Sequence, residues 1–341
     1  MKSGLLRREY DCFINRFTTN INCLYLPRSL LPKRIALWLP KGLVMSIAVE
    51  VFDSRRNQLG EGPTATGDKN SHVQWCDIYG QLIRSKNLIT GEVGEYKTDE
   101  PVGFQVPRKN GGDILGTANG PVLRDKDATL HKMPSREDAD GFKDKNVLRW
   151  NDAKVCPDGN LFLGSMAYEN QTNEGALYRL SGDGKDLTRL FGGVAISNGM
   201  DWSNDLTRMF YIDTFAMSVD VFDYEAGNLS NRRKLVEISD GMGYPDGMCS
   251  DAQDNLWVAF WMGSCVRGFD GKTGKQIAEI KLPVQKVTSC CFAGEKLDQL
   301  IITTAVGNPG EPMDLNEYPE AGFIYVAQPG VVGKKTNLFG A

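Results

Sequence analysis

Four oxygen-bearing side chains recur at the same position of a repeated sequence pattern, each shortly before a turn and a short apolar strand. Two carboxylates and two carboxamides, with no sulfur or imidazole, suit Ca²⁺, Mg²⁺ or Mn²⁺ better than copper or structural zinc. A single Asn-Gly or Asp-Gly pair is more typical of a plain turn, and only the shared position favours a metal site. The four are Glu61 in LGEGP, Asn151 in RWND, Asn198 in ISNGM and Asp246 in YPDGM.

Other hydrolytic chemistries find little support in the sequence. The chain has only two histidines, His72 and His131, and neither stands beside a serine or cysteine nucleophile motif. No Gly-x-Ser-x-Gly segment occurs, so a serine or cysteine triad is not expected. A zinc site built on histidines is excluded for the same reason.

The elements that must position these side chains form a repeat. A turn followed by a short apolar strand occurs six times, and the strands are centred at residues 75, 116, 162, 210, 257 and 301. Units of roughly 40–50 residues, each with room for four short strands, are typical of propeller blades. The sequence therefore predicts an all-β, six-bladed β-propeller with four-stranded blades; a β-sandwich would give no reason for six even copies.

Both ends of the chain are expected to contribute to the last blade. The extended segments Ser46–Phe52 and Gly322–Ala327 could pair to close the ring. Residues 45–341 would then form the propeller domain, and residues 1–44 would lie outside it. This extension is rich in Arg and poor in acid, as mitochondrial targeting segments are, but its prolines interrupt any long helix. A mis-called leader before Met45 is the other reading.

Composition limits the possible partners. The chain has 341 residues, of which 41% are hydrophobic and 24% charged, as in an ordinary globular protein. Its formal net charge is -4, and the basic extension makes the rest more acidic still, which argues against nucleic acid. No apolar run is long enough to cross a membrane. The eight cysteines form no CxxC pair, so reduced and mostly buried thiols in a cytoplasmic, soluble monomer are expected.

Several segments together resemble the regucalcin family, also called senescence marker protein 30 or gluconolactonase-like proteins. The resemblance runs in order over residues 46–341, and residues 1–44 have no counterpart. It implies a six-bladed propeller with one catalytic divalent cation and lactonase activity on sugar lactones such as gluconolactone. The segments are RWND at 149–152, ISNGMDWS at 196–203, SVDVFDY at 218–224, SNRR at 230–233, PDGMC at 245–249 and VTSCCF at 287–292.

The resemblance also assigns roles to individual residues. The family's metal ligands fall on Glu61, Asn198 and Asp246, with Ca²⁺ as the expected cation and Zn²⁺, Mn²⁺ or Mg²⁺ as alternatives. Its substrate-contacting residues fall on Arg149 and Asn151, and a further one on Glu169.

The chain departs from the family pattern at two places. Ala153 stands where Gly commonly follows Asn-Asp, and Thr64-Ala65 replaces an apolar and aromatic pair. The first departure could tighten the turn that aims Asn151, and the second bears on the packing of the first blade.

A mechanism and its rivals follow from these assignments. Asp246 is expected to act as general base toward water, with direct nucleophilic attack as the alternative, while Arg149 and the cation stabilise negative charge on the lactone oxygen. The rivals are a calcium-binding regulator without turnover, a propeller hydrolase of aryl lactones or phosphotriesters, and a protein-binding scaffold. We expect a small sugar lactone as partner, and neither nucleic acid nor a membrane.

Overall fold

The computed structural model describes residues 47–118, 120–141, 147–168 and 173–340. The described part of the chain folds into six four-stranded antiparallel sheets. The first strands of neighbouring sheets contact each other around a closed ring, so the sheets are the blades of a six-bladed β-propeller. The fold predicted from the repeat is confirmed.

The strands follow one another in chain order. Strand β1 spans Val49–Asp53. The first blade contains β2 (Gly60–Thr66), β3 (His72–Asp77), β4 (Leu82–Asn87) and β5 (Val93–Lys97). The second contains β6 (Gln105–Pro107), β7 (Asp113–Thr117), β8 (Gly120–Arg124) and β9 (Leu130–Lys132). The third contains β10 (Leu148–Val155), β11 (Leu161–Ala167), β12 (Gly175–Leu180) and β13 (Leu187–Val194).

The remaining blades repeat this order. The fourth contains β14 (Ser197–Trp202), β15 (Arg208–Asp213), β16 (Ser218–Glu225) and β17 (Asn228–Glu237). The fifth contains β18 (Tyr244–Ser250), β19 (Leu256–Trp261), β20 (Cys265–Phe269) and β21 (Gln276–Lys281). The sixth contains β22 (Val287–Ala293), β23 (Gln299–Thr304) and β24 (Ile324–Ala327) together with β1. A short helix, α1 (Arg136–Asp140), follows β9.

The sixth blade closes the ring with strands from both ends of the propeller. Strand β1 pairs antiparallel with β24, with Val49 opposite Ala327 and Val51 opposite Tyr325. The two predicted segments therefore do pair, although Ser46 and residues 1–45 lie outside the described residues. The strand centres predicted from the repeat all fall in the second strand of a blade, because that strand is the most regularly apolar.

Burial falls from the inside of each blade to its outside. In the fourth blade every residue of β14 is buried, whereas most of β17 is exposed. The inner strands are covered on both faces because each blade stacks on two neighbours. Tryptophans at four blade junctions, Trp75, Trp150, Trp202 and Trp257, are fully buried there. This packing holds the first strands rigidly around the central channel.

The segment after β24 runs beneath the propeller, at the ends of the first strands. It makes hydrogen bonds to all six blades: Gly333 N to Leu297 O, Lys334 Nζ to Trp202 O, Asn337 Nδ2 to Val155 O, Phe339 N to Pro107 O, Ala65 N to Thr336 Oγ1, and Ala252 N to Val332 O. The other mouth of the channel, where the first strands begin, is left to the loops that join second to third strands. Within the described ranges no helix is long and apolar enough to cross a membrane.

Candidate metal centre

The first strand of four blades is irregular at its predicted site residue or, for Glu61, immediately after it. In each case the pairing with the second strand skips a residue, so that two residues of the first strand oppose one of the second. Such β-bulges bend the strand and re-aim side chains. The skips occur between Glu61 and Thr64, Trp150 and Ala153, Ser197 and Met200, and Pro245 and Met248.

The Asn-Gly and Asp-Gly pairs thus lie in bulged strands. Their glycines allow neighbouring first strands to approach more closely than a side chain would permit. A Cβ on Gly199 would lie 2.6 Å from the backbone nitrogen of Met248 on the next blade. A Cβ on Gly247 would lie 2.2 Å from the hydroxyl oxygen of Ser289. Close approach of neighbouring first strands, and not a reverse turn, therefore requires glycine after Asn198 and Asp246.

Five of the predicted site residues line one pocket of about 240 Å³ at the channel mouth where the first strands begin. They come from four blades, and each is at most 9% exposed. The sixth, Glu169, lies outside the described residues. The five are Glu61, Arg149, Asn151, Asn198 and Asp246.

A chain of hydrogen bonds fixes the polar side chains of the pocket. Arg149 Nη1 donates to Asn151 Oδ1 at 2.7 Å, and Asn151 Nδ2 donates to Asn198 Oδ1 at 3.2 Å. Asn198 Nδ2 in turn donates to Thr214 Oγ1 at 2.8 Å. The Thr214 hydroxyl donates to Pro245 O at 2.9 Å, next to Asp246. The chain links the third, fourth and fifth blades and sets the orientation of the Asn198 amide.

The two carboxylates are buried, and the nearby charge of Arg149 only partly offsets the effect of burial on their pKa values. Burial, followed by repulsion from Asp152, raises the pKa of Glu61 to about 8. Burial also raises the pKa of Asp246 well above its usual value, and Glu61 and Asp152 add to the rise. Among the ion pairs of the described ranges neither carboxylate takes part. Two buried acids in this state fit a divalent cation, which would restore the charge balance.

The candidate metal ligands include only two negatively charged side chains. No group of three His, Cys, Asp or Glu side chains in the described residues is arranged to hold a metal ion. The candidate centre therefore consists of two carboxylates completed by the amide oxygen of Asn198. Such an oxygen-only set leaves coordination positions for water or substrate, as a catalytic site requires.

Among the described residues that line this pocket, Arg149 is the one with a positively charged side chain. Its guanidinium carbon lies 5.8 Å from the centre of the Tyr79 ring, and Nη1 also donates to Trp150 O at 3.0 Å. Its Nε is buried without a hydrogen-bond partner. A buried donor without a partner is costly unless a ligand satisfies it, so this atom points to ligand binding.

The opposite end of the channel is larger but electrostatically balanced. A cavity of about 490 Å³ lies there, lined in part by the segment after β24. Its half-buried Lys154 donates from Nζ to Asp201 Oδ2 at 2.9 Å and to Met248 O at 3.2 Å. Because that lysine is paired with a carboxylate, the smaller pocket at the other mouth is the better candidate for chemistry.

The two departures from the family pattern are accommodated by packing. Ala65 is 1% exposed and packs with Phe52 and Trp75, so the first blade keeps its core. The Thr64 hydroxyl accepts a hydrogen bond of 2.7 Å from Gln105 Nε2 on the second blade. Ala153 lies at the end of the bulge that carries Asn151, and the bulge forms without glycine there.

Sequence reasoning missed several residues of the pocket. Thr214 was not among the candidates, because only its contacts with Asn198 and Pro245 reveal its role. The apolar wall was also missed, although strand alternation predicts it: the residues two positions before three candidates line the same pocket. They are Leu59, Ile196 and Tyr244.

Fold and site together define a six-bladed propeller with a polar, cation-compatible pocket at one channel mouth. Residues 59–306 match the family described as "SMP-30/Gluconolactonase/LRE-like region", and the chain belongs to this family. It is 36% identical over 285 residues to regucalcin of Danio rerio, covering 82% of this chain and 94% of that protein.

Solved structures of other proteins have the same fold as this chain. A luciferin-regenerating enzyme is 27% identical with a TM-score of 0.79, over 87% of this chain and 100% of that one. A calcium-binding protein, regucalcin from Agrobacterium tumefaciens, has the same TM-score at 22% identity, over 87% of this chain and 99% of that one. At that identity the second similarity speaks for the fold alone.

Proposed function

We propose that this chain is a cation-dependent hydrolase that opens lactones, with sugar lactones such as gluconolactone as the class suggested by the family's name. One observation carries the proposal: the carboxylates of Glu61 and Asp246, which form no ion pair, share a pocket with Arg149, whose Nε has no hydrogen-bond partner. The carboxylates suit a cation, and the guanidinium suits a developing negative charge.

Glu61, Asn198 and Asp246 would hold the cation, with Ca²⁺ favoured and Zn²⁺, Mn²⁺ or Mg²⁺ as alternatives. When bound, the ion would keep both carboxylates ionised and polarise the lactone carbonyl. The fixed amide of Asn198 supports this assignment, because Thr214 holds its Nδ2 and leaves Oδ1 toward the pocket side shared with Asn151.

Asp246 would act as the general base. Its carboxylate would take a proton from the water that attacks the carbonyl carbon, and would return it to the ring oxygen as the C–O bond breaks. The product is the open hydroxy acid. Arg149 would stabilise the negative charge on the former carbonyl oxygen through its free Nε. Direct attack by Asp246 on the carbonyl carbon is the alternative route.

Asn151 would position the substrate beside this centre. Its side chain is locked between Arg149 and Asn198, so it presents a fixed edge to the pocket. We extend the same role to Glu169, which lies outside the described residues, because the family resemblance assigns it there.

A calcium-binding protein without turnover is the second candidate. It is favoured by the chemistry of the ligand set, because two carboxylates and an amide oxygen suit Ca²⁺ without any need for a substrate. The same three ligands would serve it. The buried, unpartnered Nε of Arg149 favours the enzyme, because binding a cation gives no reason to keep a second cation unsatisfied nearby. A third candidate, hydrolysis of another ester or a phosphotriester, shares the site and differs only in substrate.

We further propose that the protein acts as a monomer on a small molecule in the cytoplasm. The six described cysteines are free and buried, which suits a reducing compartment. Cys249 and Cys290 lie with their sulfurs 3.6 Å apart and are nonetheless unbonded.

The test is a panel of lactones offered to metal-stripped protein refilled separately with Ca²⁺, Mg²⁺, Mn²⁺ and Zn²⁺. Release of acid is followed with a pH indicator. The proposal expects turnover that depends on the added ion. Tight calcium binding with no turnover on any lactone, aryl ester or phosphotriester would favour the second candidate instead.

A further inference from the structure

Three of the four first strands that carry candidate site residues place an apolar or aromatic side chain above them, whereas Asn308 and Glu311 of the sixth blade give the same pocket a polar side. In extended backbone, side chains two positions apart face the same way, so the residue two before each ligand stands over it. Above Glu61, Asn198 and Asp246 these residues are Leu59, Ile196 and Tyr244. Above Asn151 the equivalent residue is Arg149, the one charged side chain of this ring.

An exposed aromatic pair continues this wall to the solvent. Phe215 and Tyr244 are 49% and 42% exposed, and their rings meet edge to face with centroids 6.0 Å apart. Phe215 directly follows Thr214, whose hydroxyl fixes Asn198. Tyr244 lies two residues before Asp246 and pairs in the sheet with Trp261. The aromatic pair is therefore attached to the same backbone that carries the ligands.

Large exposed aromatic side chains at a pocket mouth usually mark a surface that binds something apolar. The aromatic pair lies above the polar floor of the pocket, and that floor would bind the ester group of a lactone. A substituent on the lactone ring would then extend from the floor toward the channel mouth. It would meet Phe215, Tyr244 and Ile196 on the way.

The polar groups of the floor are mostly occupied. Both hydrogens of the Asn151 amide have partners, Ser197 O and Asn198 Oδ1, and its oxygen accepts from Arg149. Asn198 Nδ2 donates to Thr214. Each hydroxyl of a sugar lactone loses its hydration on entering, and must find a replacement partner. The Asn151 amide has no free hydrogen to offer, one hydrogen of the Asn198 amide is already used, and the carboxylates and Arg149 Nε are assigned to the cation and the ester.

We infer that this pocket selects lactones that bear an apolar alkyl or aryl substituent, with the ring at the polar floor and the substituent against Phe215 and Tyr244. This inference rests on the proposed lactone hydrolysis, and it replaces the sugar lactones suggested by the family's name with lactones that bear an apolar substituent. It makes Phe215 and Tyr244 specificity-determining residues, and it assigns the ester chemistry to the residues beneath them.

The first test compares 5-alkyl γ-lactones of increasing chain length with gluconolactone, using the cation-loaded protein. We expect kcat/KM to rise roughly threefold for each added methylene until the chain passes the aromatic pair. In Phe215→Ala, kcat/KM for the longest chain should fall about tenfold relative to the unsubstituted ring. Phe215→Leu should restore most of the chain-length dependence.

A matched control removes an equally exposed apolar side chain elsewhere. Ile277 is 50% exposed on β21, the outermost strand of the fifth blade. Ile277→Ala should keep the chain-length dependence of the unmodified protein. If Ile277→Ala and Phe215→Ala reduce the dependence of kcat/KM on chain length equally, the effect is not local to the pocket and the inference fails.

A second test measures binding without turnover. The probes are 5-alkyl γ-lactams, which resist hydrolysis, and gluconolactam, with affinities read by calorimetry. Tighter binding with longer chains, lost in Phe215→Ala, supports the inference whether or not any lactone is turned over. Tighter binding of gluconolactam than of every alkyl lactam overturns it, while turnover of gluconolactone would leave the proposed function standing.

Discussion

Burial raises the pKa of Asp246, and the carboxylate of Glu61, from a different blade, raises it further. The two acids belong to the first strands β2 and β18, which the closed ring brings to one pocket. The charge of Arg149 lowers both pKa values but does not offset burial, so a bound divalent cation would favour the charged form of each acid. Folding and cation binding should therefore be linked through these two groups.

The first prediction concerns the pH dependence of stability. An acid whose pKa is higher in the folded than in the unfolded protein binds more protons when folded, so folding becomes less favourable as pH rises between the two values. For Glu61 this window runs from its ordinary value of 4.5 to about 8. Metal-stripped protein should lose a few kcal/mol of unfolding free energy across it. Urea unfolding with and without Ca²⁺ checks this, because Ca²⁺ should stabilise most at the alkaline end.

Glu61→Gln is the control for this effect. Without the ionisable group, the metal-stripped variant should show a flatter pH profile and be more stable than the parent at pH 8. A metal-stripped parent protein whose stability rises with pH would contradict the assignment of Glu61 as a buried acid with a raised pKa.

The second prediction separates the base from the other charged ligand. Asp246→Asn should lower kcat by at least about 10²-fold at every Ca²⁺ concentration, because no group remains to accept the proton of water. Glu61→Gln removes the same charge from the site but keeps that base, so saturating Ca²⁺ should recover much of its kcat. Circular dichroism should find both variants folded. Retained activity in Asp246→Asn would refute the general-base role.

The third prediction tests the hydroxyl that fixes the Asn198 amide. Thr214→Val keeps the shape of the side chain but removes the bonds to Asn198 Nδ2 and Pro245 O. Groups that orient a metal ligand typically contribute 10-fold or more to affinity, so the Kd for Ca²⁺ should rise by about that factor. Thr214→Ser retains the hydroxyl and should bind Ca²⁺ nearly as the parent does. Equal affinities for Thr214→Val and the parent would leave the hydroxyl without this role.

The fold was predictable because each blade contains the same local sequence pattern, a polar turn followed by an apolar strand. The second strands around Trp75, Phe162 and Trp257 are apolar and follow polar turns, and their even spacing alone implies a ring of similar sheets. The closing pair of β1 and β24 followed from the need to leave no open edge. These inferences need no knowledge of contacts between blades.

The site was predictable only in part, because its finer features arise between blades. The shared position of Glu61, Asn198 and Asp246 was visible in the sequence, but the β-bulge that produces it was not. The need for Gly247 comes from Ser289 on the next blade, and the role of Thr214 comes from Pro245 on another. Contacts between residues so far apart in sequence leave no local pattern.

The last prediction separates an enzyme from a protein that only binds cations. Arg149→Lys keeps the positive charge but loses the planar fork that bonds Asn151 Oδ1 and offers Nε to a ligand. If Arg149 stabilises the negative charge of the transition state, kcat/KM should fall about 10²-fold while the Kd for Ca²⁺ changes little. Turnover assays and calorimetry on the same preparation give both values. A variant that loses calcium affinity and keeps its activity would reverse the roles assigned here, because Arg149 would then support the cation site and not the reacting oxygen.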